Sequence, residues 1–220
     1  MCFTGNVAKY NKMQKLSVDF YERDDITQIA KDLLGKYIIT KFDQQYTVGR
    51  IVETEAYAGI IDKASHAYNN RRTARTEVMF GPPGVSYVYL CYGIHHLFNV
   101  VCNVKDKPDA VLIRGIEPVE GVNTMLQRFN KDKPDSTIGR GPGNVSKALG
   151  ISTKHTGMQL QSKQIWLAED NASTSFNILT SPRIGVDYAA EHALWLYRFF
   201  IEGHPQVSKH ALNKTAISLF

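Results

Sequence analysis

Cysteine is scarce, long apolar runs are missing, and no repeat is visible; each absence removes a class of protein. Three cysteines, Cys2, Cys91 and Cys102, are too few and too scattered over 220 residues for a disulfide framework, and no Cys-x-x-Cys pair offers a zinc site. A reducing compartment is the default. No apolar stretch nears the roughly 20 residues that cross a bilayer, so no membrane partner is expected. The first sixteen residues lack the compact apolar block of a signal peptide. They carry Lys9, Lys12 and Lys15 among polar residues and read as a flexible basic arm, with a frayed terminus of no role as the plainer alternative. No internal repeat, low-complexity tract or compositional break divides residues 17–220, which are expected to form one domain.

The remaining composition is that of an ordinary globular chain, 43% hydrophobic and 21% charged. Its formal charge of +5 favours a polyanionic partner without requiring one.

Asp24-Asp25 ahead of Ile26, Ile29, Ala30, Leu33 and Leu34, with Gly35 as a stop, predicts a short amphipathic helix. Two β-rich runs, Tyr37 to Phe42 and Tyr46 to Thr54, flank Asp43-Gln44-Gln45 and read as a hairpin. Ile60 to Thr76 is polar, basic and without a period, and reads as a long functional loop. Beyond Gly81-Pro82-Pro83-Gly84, strands over Val85 to Tyr92 and Leu97 to Val104 are joined across Gly93-Ile94-His95-His96, which leaves Tyr92 at a hairpin tip. A strand over Ala110 to Ile116 and, after Glu117-Pro118, a helix over about Val119 to Phe129 follow. Gly139-Arg140-Gly141-Pro142-Gly143-Asn144 leads into a short helix over Val145 to Leu149; its N–H groups could hold a phosphate, and a simple turn and N-cap fits equally well. Further short strands are expected at Gln164 to Ala168, Arg183-Ile184-Gly185-Val186 and Arg198 to Ile201. The order predicts an α+β fold: a single domain with a curved, largely antiparallel β-sheet and flanking helices.

Chemistry concentrates in Glu53-Thr54-Glu55-Ala56-Tyr57. In a strand, Ile51, Glu53, Glu55 and Tyr57 share one face. A carboxylate held out of water must be paired, protonated or at work, because its desolvation costs several kcal/mol. Spacing alone leaves Glu53 and Glu55 equal. Around them stand many rings: Tyr57, Tyr87, Tyr89, Tyr92, His66, His95 and His96. Cross-strand packing accounts for Tyr87. It does not account for a tyrosine at an exposed tip beside glycine. A ring projecting from a basic surface suits a wedge that fills the gap left by an extruded base, with other rings sandwiching that base and a carboxylate activating water.

These motifs make the chain resemble the alkyladenine (3-methyladenine, methylpurine) DNA glycosylase family. The resemblance rests on Arg50-Ile51-Val52-Glu53-Thr54-Glu55-Ala56-Tyr57, with His66 eleven residues after Glu55, and on Met79-Phe80-Gly81-Pro82-Pro83-Gly84. It continues through Tyr87-Val88-Tyr89, Tyr92-Gly93, Phe98-Asn99-Val100, Leu112-Ile113-Arg114, Glu117-Pro118, Gly141-Pro142-Gly143 and Arg183-Ile184-Gly185-Val186, in order from about Val18 to Ser208.

The resemblance implies a monofunctional enzyme of base excision repair that flips alkylated or deaminated purines (3-methyladenine, 7-methylguanine, hypoxanthine) out of duplex DNA. It hydrolyses the N-glycosidic bond and leaves an abasic site, without metal or organic cofactor. By the same resemblance Glu55 is the general base, Arg114 helps to place water and substrate, and a carbonyl near Val207 completes the water site. Tyr57, His66, Tyr89 and Asn99 line the base pocket, and Tyr92 intercalates. Candidate phosphate contacts are Arg71, Arg72, Arg75, Arg140, Gly143 and Lys147. The expected partner is double-stranded DNA bound by a monomer, in the cytoplasm or nucleoid of a prokaryote or the nucleus of a eukaryote. Without the resemblance, Arg114 would read as a strand-edge ion pair with Glu53 or Glu117, and His66 as a solvated loop histidine.

Two departures stand out. Arg72-Thr73-Ala74-Arg75-Thr76 replaces the proline, arginine and asparagine that often follow the threonine, and Leu196 occupies a position that often holds proline. The competing function is a non-catalytic DNA damage-binding protein.

Overall fold

The structure, a computed structural model, describes residues 9–10, 12–170 and 175–219. The described part of the expected basic arm is anchored: β1 (Gln14–Lys15) pairs antiparallel with β7 (Ile165–Glu169), and Tyr10 and Leu16 are buried. Residues 1–8 and 11 of that arm lie outside the described residues. After α1 (Val18–Tyr21), the Asp25 carboxylate accepts hydrogen bonds from the Thr27 and Gln28 N–H groups and caps α2 (Ile26–Asp32). Ile26, Ile29 and Ala30 of α2 are buried, as their spacing requires.

β2 (Tyr37–Phe42) and β3 (Gln45–Tyr57) form the expected hairpin, turning through Asp43 and Gln44, both at positive φ. β4 (Ser86–Cys91) and β5 (His95–Cys102) form a second hairpin, and β6 (Asp109–Glu120) lies between β5 and β3. Among the described residues one antiparallel sheet of ten strands runs β1-β7-β2-β3-β6-β5-β4. It branches where β3 also pairs with β9 (Arg198–Ile201), β9 with β8 (Ile178–Ser181), and β8 with β10 (Ile217–Ser218). The main apolar core unites α2, α3 (Val122–Phe129) and α4 (Pro142–Leu149) with β3, β5 and β6. The fold class expected from the sequence, an α+β domain on an antiparallel sheet, is the observed one.

Three local expectations are corrected. His95 and His96 belong to β5 rather than to the turn, because Cys91 pairs with His95 and the reversal is made by Tyr92, Gly93 and Ile94. β6 runs through Pro118 to Glu120, so the next helix starts at Val122; Pro118 is tolerated because the register slips between Val48 and Gly49 opposite it. Gly121, at φ 71°, makes the strand-to-helix corner, where an added Cβ would stand 2.0 Å from the Tyr46 carbonyl oxygen. Residues 183–186 form no strand; they make an irregular segment after β8.

Candidate active site

A row of cross-strand partners lays out one side of the site. Glu55 on β3 faces Leu112 on β6, Leu112 faces Asn99 on β5, and Asn99 faces Tyr87 on β4. Partners directly opposite share a face of the sheet, and residues two further along share it too, which adds Tyr57 and Tyr89. Arg114, two residues along β6 from Leu112, reaches the same face, at a bulge. The register passes from Glu53 opposite Gly115 to Thr54 opposite Ile113, so Arg114 is the extra residue on β6 and its side chain is aimed between the two acids.

Those acids are both fully buried and differently engaged. Glu53 Oε1 accepts from Arg198 Nε at 2.7 Å and Arg114 Nε at 3.3 Å, while Oε2 accepts from the Ser208 N–H and hydroxyl, each at 2.8 Å. Burial alone would raise its pKa, but Arg114, Arg198 and Ser208 outweigh that and hold the carboxyl below its ordinary value. Its hydrogen-bonding capacity is occupied. Glu55 Oε1 accepts from the Ile184 N–H at 2.8 Å, and Oε2 from the Tyr57 hydroxyl at 2.8 Å, with Arg114 Nη1 at 3.4 Å. Burial, then Glu55 and Tyr89, push the Tyr57 phenol well above its usual pKa, so it remains a neutral donor. Arg114 is buried, which by itself disfavours its charge, but Glu55 and Glu53 keep it a cation. It therefore pairs with both pentad acids, and Glu117 pairs instead with Arg50.

A cavity of about 750 Å³ opens in front of this group. Tyr57, His66, Tyr89, Asn99 and Arg114 all line it, together with Tyr87, Ile184 and Tyr188; Glu55 sits just behind the wall made by Tyr57 and Arg114. The volume suits an organic ring system of one or two rings with its flanking groups. His66 is fixed by a 2.8 Å hydrogen bond between Nδ1 and the Tyr87 hydroxyl and stands edge-on to Tyr89 at 4.6 Å between ring centres. Burial, Arg75 and Arg71 lower its pKa to about 4, so the imidazole is neutral at physiological pH. Asn99 donates its amide hydrogens to the Tyr87 and Leu97 carbonyls, leaving its side-chain oxygen for the cavity. Lys63 also lines the cavity, but its ammonium is held by Glu191 at 2.6 Å, which raises its pKa. That leaves it a poor nucleophile.

At the cavity rim Tyr92 is 91% exposed at the β4–β5 tip, with φ at 51°. A bulky residue in the left-handed region carries backbone strain, and such strain gathers at functional positions.

The candidate phosphate contacts fall apart into several groups. Arg72 is taken up by Glu77 and Asp106 and lies over Phe80. Arg75 lies over the Tyr89 ring at 4.9 Å, with Nη2 3.4 Å from His66 Nε2. Arg71 lines the cavity mouth. Arg140 donates to the Pro205 carbonyl, and Lys147 lies over Phe129. Gly143 packs so close to His95 that a Cβ would meet its ring at 2.8 Å. Asn144 donates its side-chain amide to the Arg140 carbonyl across the α4 N-terminus.

Sequence reasoning passed over Tyr87 as packing, and it missed Asp62, Ile184 and the clamp of Arg198 and Ser208 on Glu53. Arg183 was visible as a motif but had no role. Among the described residues there is no cluster of three His, Cys, Asp or Glu side chains able to hold a metal ion, and no helix long and apolar enough to cross a membrane.

Comparison with known proteins finds that residues 19–205 match the family described as Methylpurine-DNA glycosylase (MPG). The chain belongs to the methylpurine-DNA glycosylase family. A protein of Bacillus cereus named "Putative 3-methyladenine DNA glycosylase" is 45% identical over 199 residues, covering 86% of this chain and 97% of that one. A protein of the same name from Natranaerobius thermophilus is 43% identical over 196 residues, covering 88% and 98%. As a methylpurine-DNA glycosylase the chain is a hydrolase of N-glycosyl bonds that acts on DNA in its repair.

Proposed function

We propose that this glycosylase flips an alkylated or deaminated purine from duplex DNA into the 750 Å³ cavity and hydrolyses its N-glycosidic bond with a water activated by Glu55. Substrates are 3-methyladenine, 7-methylguanine and hypoxanthine, the protein acts as a monomer, and the product is an abasic site. The observation that carries this reading is the contrast between the two buried acids. Glu53 is committed to Arg198, Arg114 and Ser208, whereas Glu55 lies directly behind the cavity-lining Tyr57 and Arg114, with one oxygen on a backbone N–H and the other on the Tyr57 phenol and Arg114.

Tyr92 enters the duplex from the minor groove and fills the space vacated by the base, which offsets part of the unstacking cost of a few kcal/mol. The extruded purine stacks among Tyr57, His66 and Tyr89. A purine alkylated at N3 or N7 is cationic and leaves without a general acid. A neutral His66 does not repel it, and aromatic faces favour it by about 0.5 to 2 kcal/mol. Glu55 takes the proton of the attacking water and opposes the positive charge that develops at C1′ in an oxocarbenium-like transition state. Arg114 fixes the Glu55 oxygen and the water. Water attacks C1′ directly, since Lys63, held by Glu191 at 2.6 Å, stays a protonated ammonium.

The test is single-turnover release of free base from duplexes carrying 7-methylguanine or hypoxanthine. Glu55→Gln is expected to abolish release while lesion binding persists; near-normal turnover in that variant would overturn the assignment of the base.

A further inference from the structure

Arg183 opens a motif to which the chemistry above gives no task, and it is one of the most constrained side chains in the molecule. Its guanidinium makes a two-pronged pair with Asp62, Nη1 to Oδ2 and Nη2 to Oδ1, and both side chains are fully buried. The same guanidinium donates to the carbonyls of Ala56 at 2.9 Å and His192 at 3.1 Å. Its centre lies 4.8 Å from the Tyr57 ring and 5.4 Å from the Tyr197 ring. Its Nε–H is buried without a hydrogen-bond partner among the described groups.

The connections made by this pair converge on Glu55. One residue along the chain, the Ile184 N–H is the donor to Glu55 Oε1. The ring on which Arg183 rests belongs to Tyr57, the donor to Glu55 Oε2. The carbonyl it anchors is that of Ala56, between Glu55 and Tyr57. Asp62 in turn accepts from the Ala58 and Ala64 N–H groups, fixing the start of the loop that carries His66.

We propose that the Arg183–Asp62 pair is a positioning unit that sets both donors on Glu55 and ties the His66 loop to them. The inference rests on Glu55 as the base. Arg183 touches no reacting atom; it acts through Tyr57 and Ile184. A planar, two-pronged, stacking guanidinium is required, so lysine cannot replace it although it keeps the charge.

The experiment measures single-turnover excision from a 7-methylguanine duplex. Binding is measured to the same lesion on a 2′-fluoro sugar, whose oxocarbenium ion is too destabilised for cleavage. Arg183→Lys is expected to slow excision by about 10- to 100-fold, the scale of a small misplacement of a reacting group, with binding within about threefold of the parent. Asp62→Asn, which preserves shape and acceptors, should slow excision in the same sense and serves if Arg183→Lys does not fold. The decisive readout is the cycle with Tyr57→Phe. If Arg183 or Asp62 acts through the Tyr57 hydroxyl, its substitution costs markedly less in the Tyr57→Phe background; multiplicative losses, or excision near the parental rate in the folded single variants, overturn the proposal. Turnover by Glu55→Gln would instead remove the base assignment, whatever the Arg183 variants do.

Discussion

The Tyr57 hydroxyl donates to Glu55 Oε2 at 2.8 Å from two residues along the same strand, joining a wall of the cavity to the acid behind it. On the proposed reading, stacking and chemistry meet in one side chain and can be separated by a single oxygen. Tyr57→Phe keeps the ring and loses the donor. It is expected to leave lesion binding nearly intact and to lower the single-turnover rate by about tenfold, the worth of one hydrogen bond to a charged group. Equal losses in binding and rate would place the effect in the stacking face.

Glu53 and Glu55 should separate by the kind of damage their loss causes. Glu53→Gln weakens the partner of Arg198, which is fully buried, and leaves cationic charge uncompensated. The expected cost is about 3 to 5 kcal/mol of stability, read by urea unfolding, with the turnover of the folded fraction falling far less than in Glu55→Gln. Glu55→Gln is expected to spare more of the stability and lose the turnover.

If Tyr92 is the proposed wedge, it trades stability for reach. Its φ of 51° suits asparagine or glycine better than tyrosine. Tyr92→Asn is expected to stabilise the fold by about 0.5 to 1 kcal/mol and to lower excision from duplex DNA by about tenfold or more, while a single-stranded lesion is far less affected. Thermal unfolding and paired duplex and single-strand assays check both halves.

Arg75 predicts a selectivity. Arg75 already places a cation 4.9 Å from the Tyr89 ring, where it opposes a cationic base. Arg75→Gln should raise the ratio of 7-methylguanine to hypoxanthine excision by about 2- to 10-fold. If Arg75 serves only a phosphate, both rates fall together and the salt dependence of binding flattens by about one charge.

His66 sets a slope in acid. Its folded-state pKa, about 4, lies below its ordinary 6.5, so between those values the unfolded chain binds the proton that the folded chain refuses. Stability is present above about pH 6.5 and is lost as pH falls toward 4, by about 3 kcal/mol at most. Asp109, raised to about 6 chiefly by burial, has the opposite sign over part of this range, so the test is a difference. The parent should lose more stability than His66→Gln between pH 7 and pH 4.5, measured by denaturant midpoints.

Much of this architecture was legible in the residues, because it is local or periodic. The Asp25 cap, the β2–β3 hairpin, the shared face of Glu53, Glu55 and Tyr57, and the tip at Tyr92 follow from propensities and a period of two. What escaped depends on partners far along the chain. The bulge that aims Arg114 exists only against β3, and the pair of Asp62 with Arg183 spans 121 residues. Residues 183–186 have the composition of a strand, yet they form an irregular segment whose Ile184 N–H donates to Glu55. Pro118 reads as a strand end until the register slip opposite it is known. The roles themselves came from resemblance to a family, which periodicity could not supply.

The hairpin of β4 and β5 behaves as a ruler. Tyr92 sits at its free end, and the Glu55 strand lies beyond β5 and β6 in the same sheet. Adding or removing one residue pair would lengthen or shorten the probe by about 3.3 Å and, by the alternation of side chains, turn its rings to the other face. Changes of two pairs preserve that orientation. On the proposed reading, the depth to which Tyr92 reaches is thus adjustable in coarse steps, while the strand bearing Glu55 stays where it is.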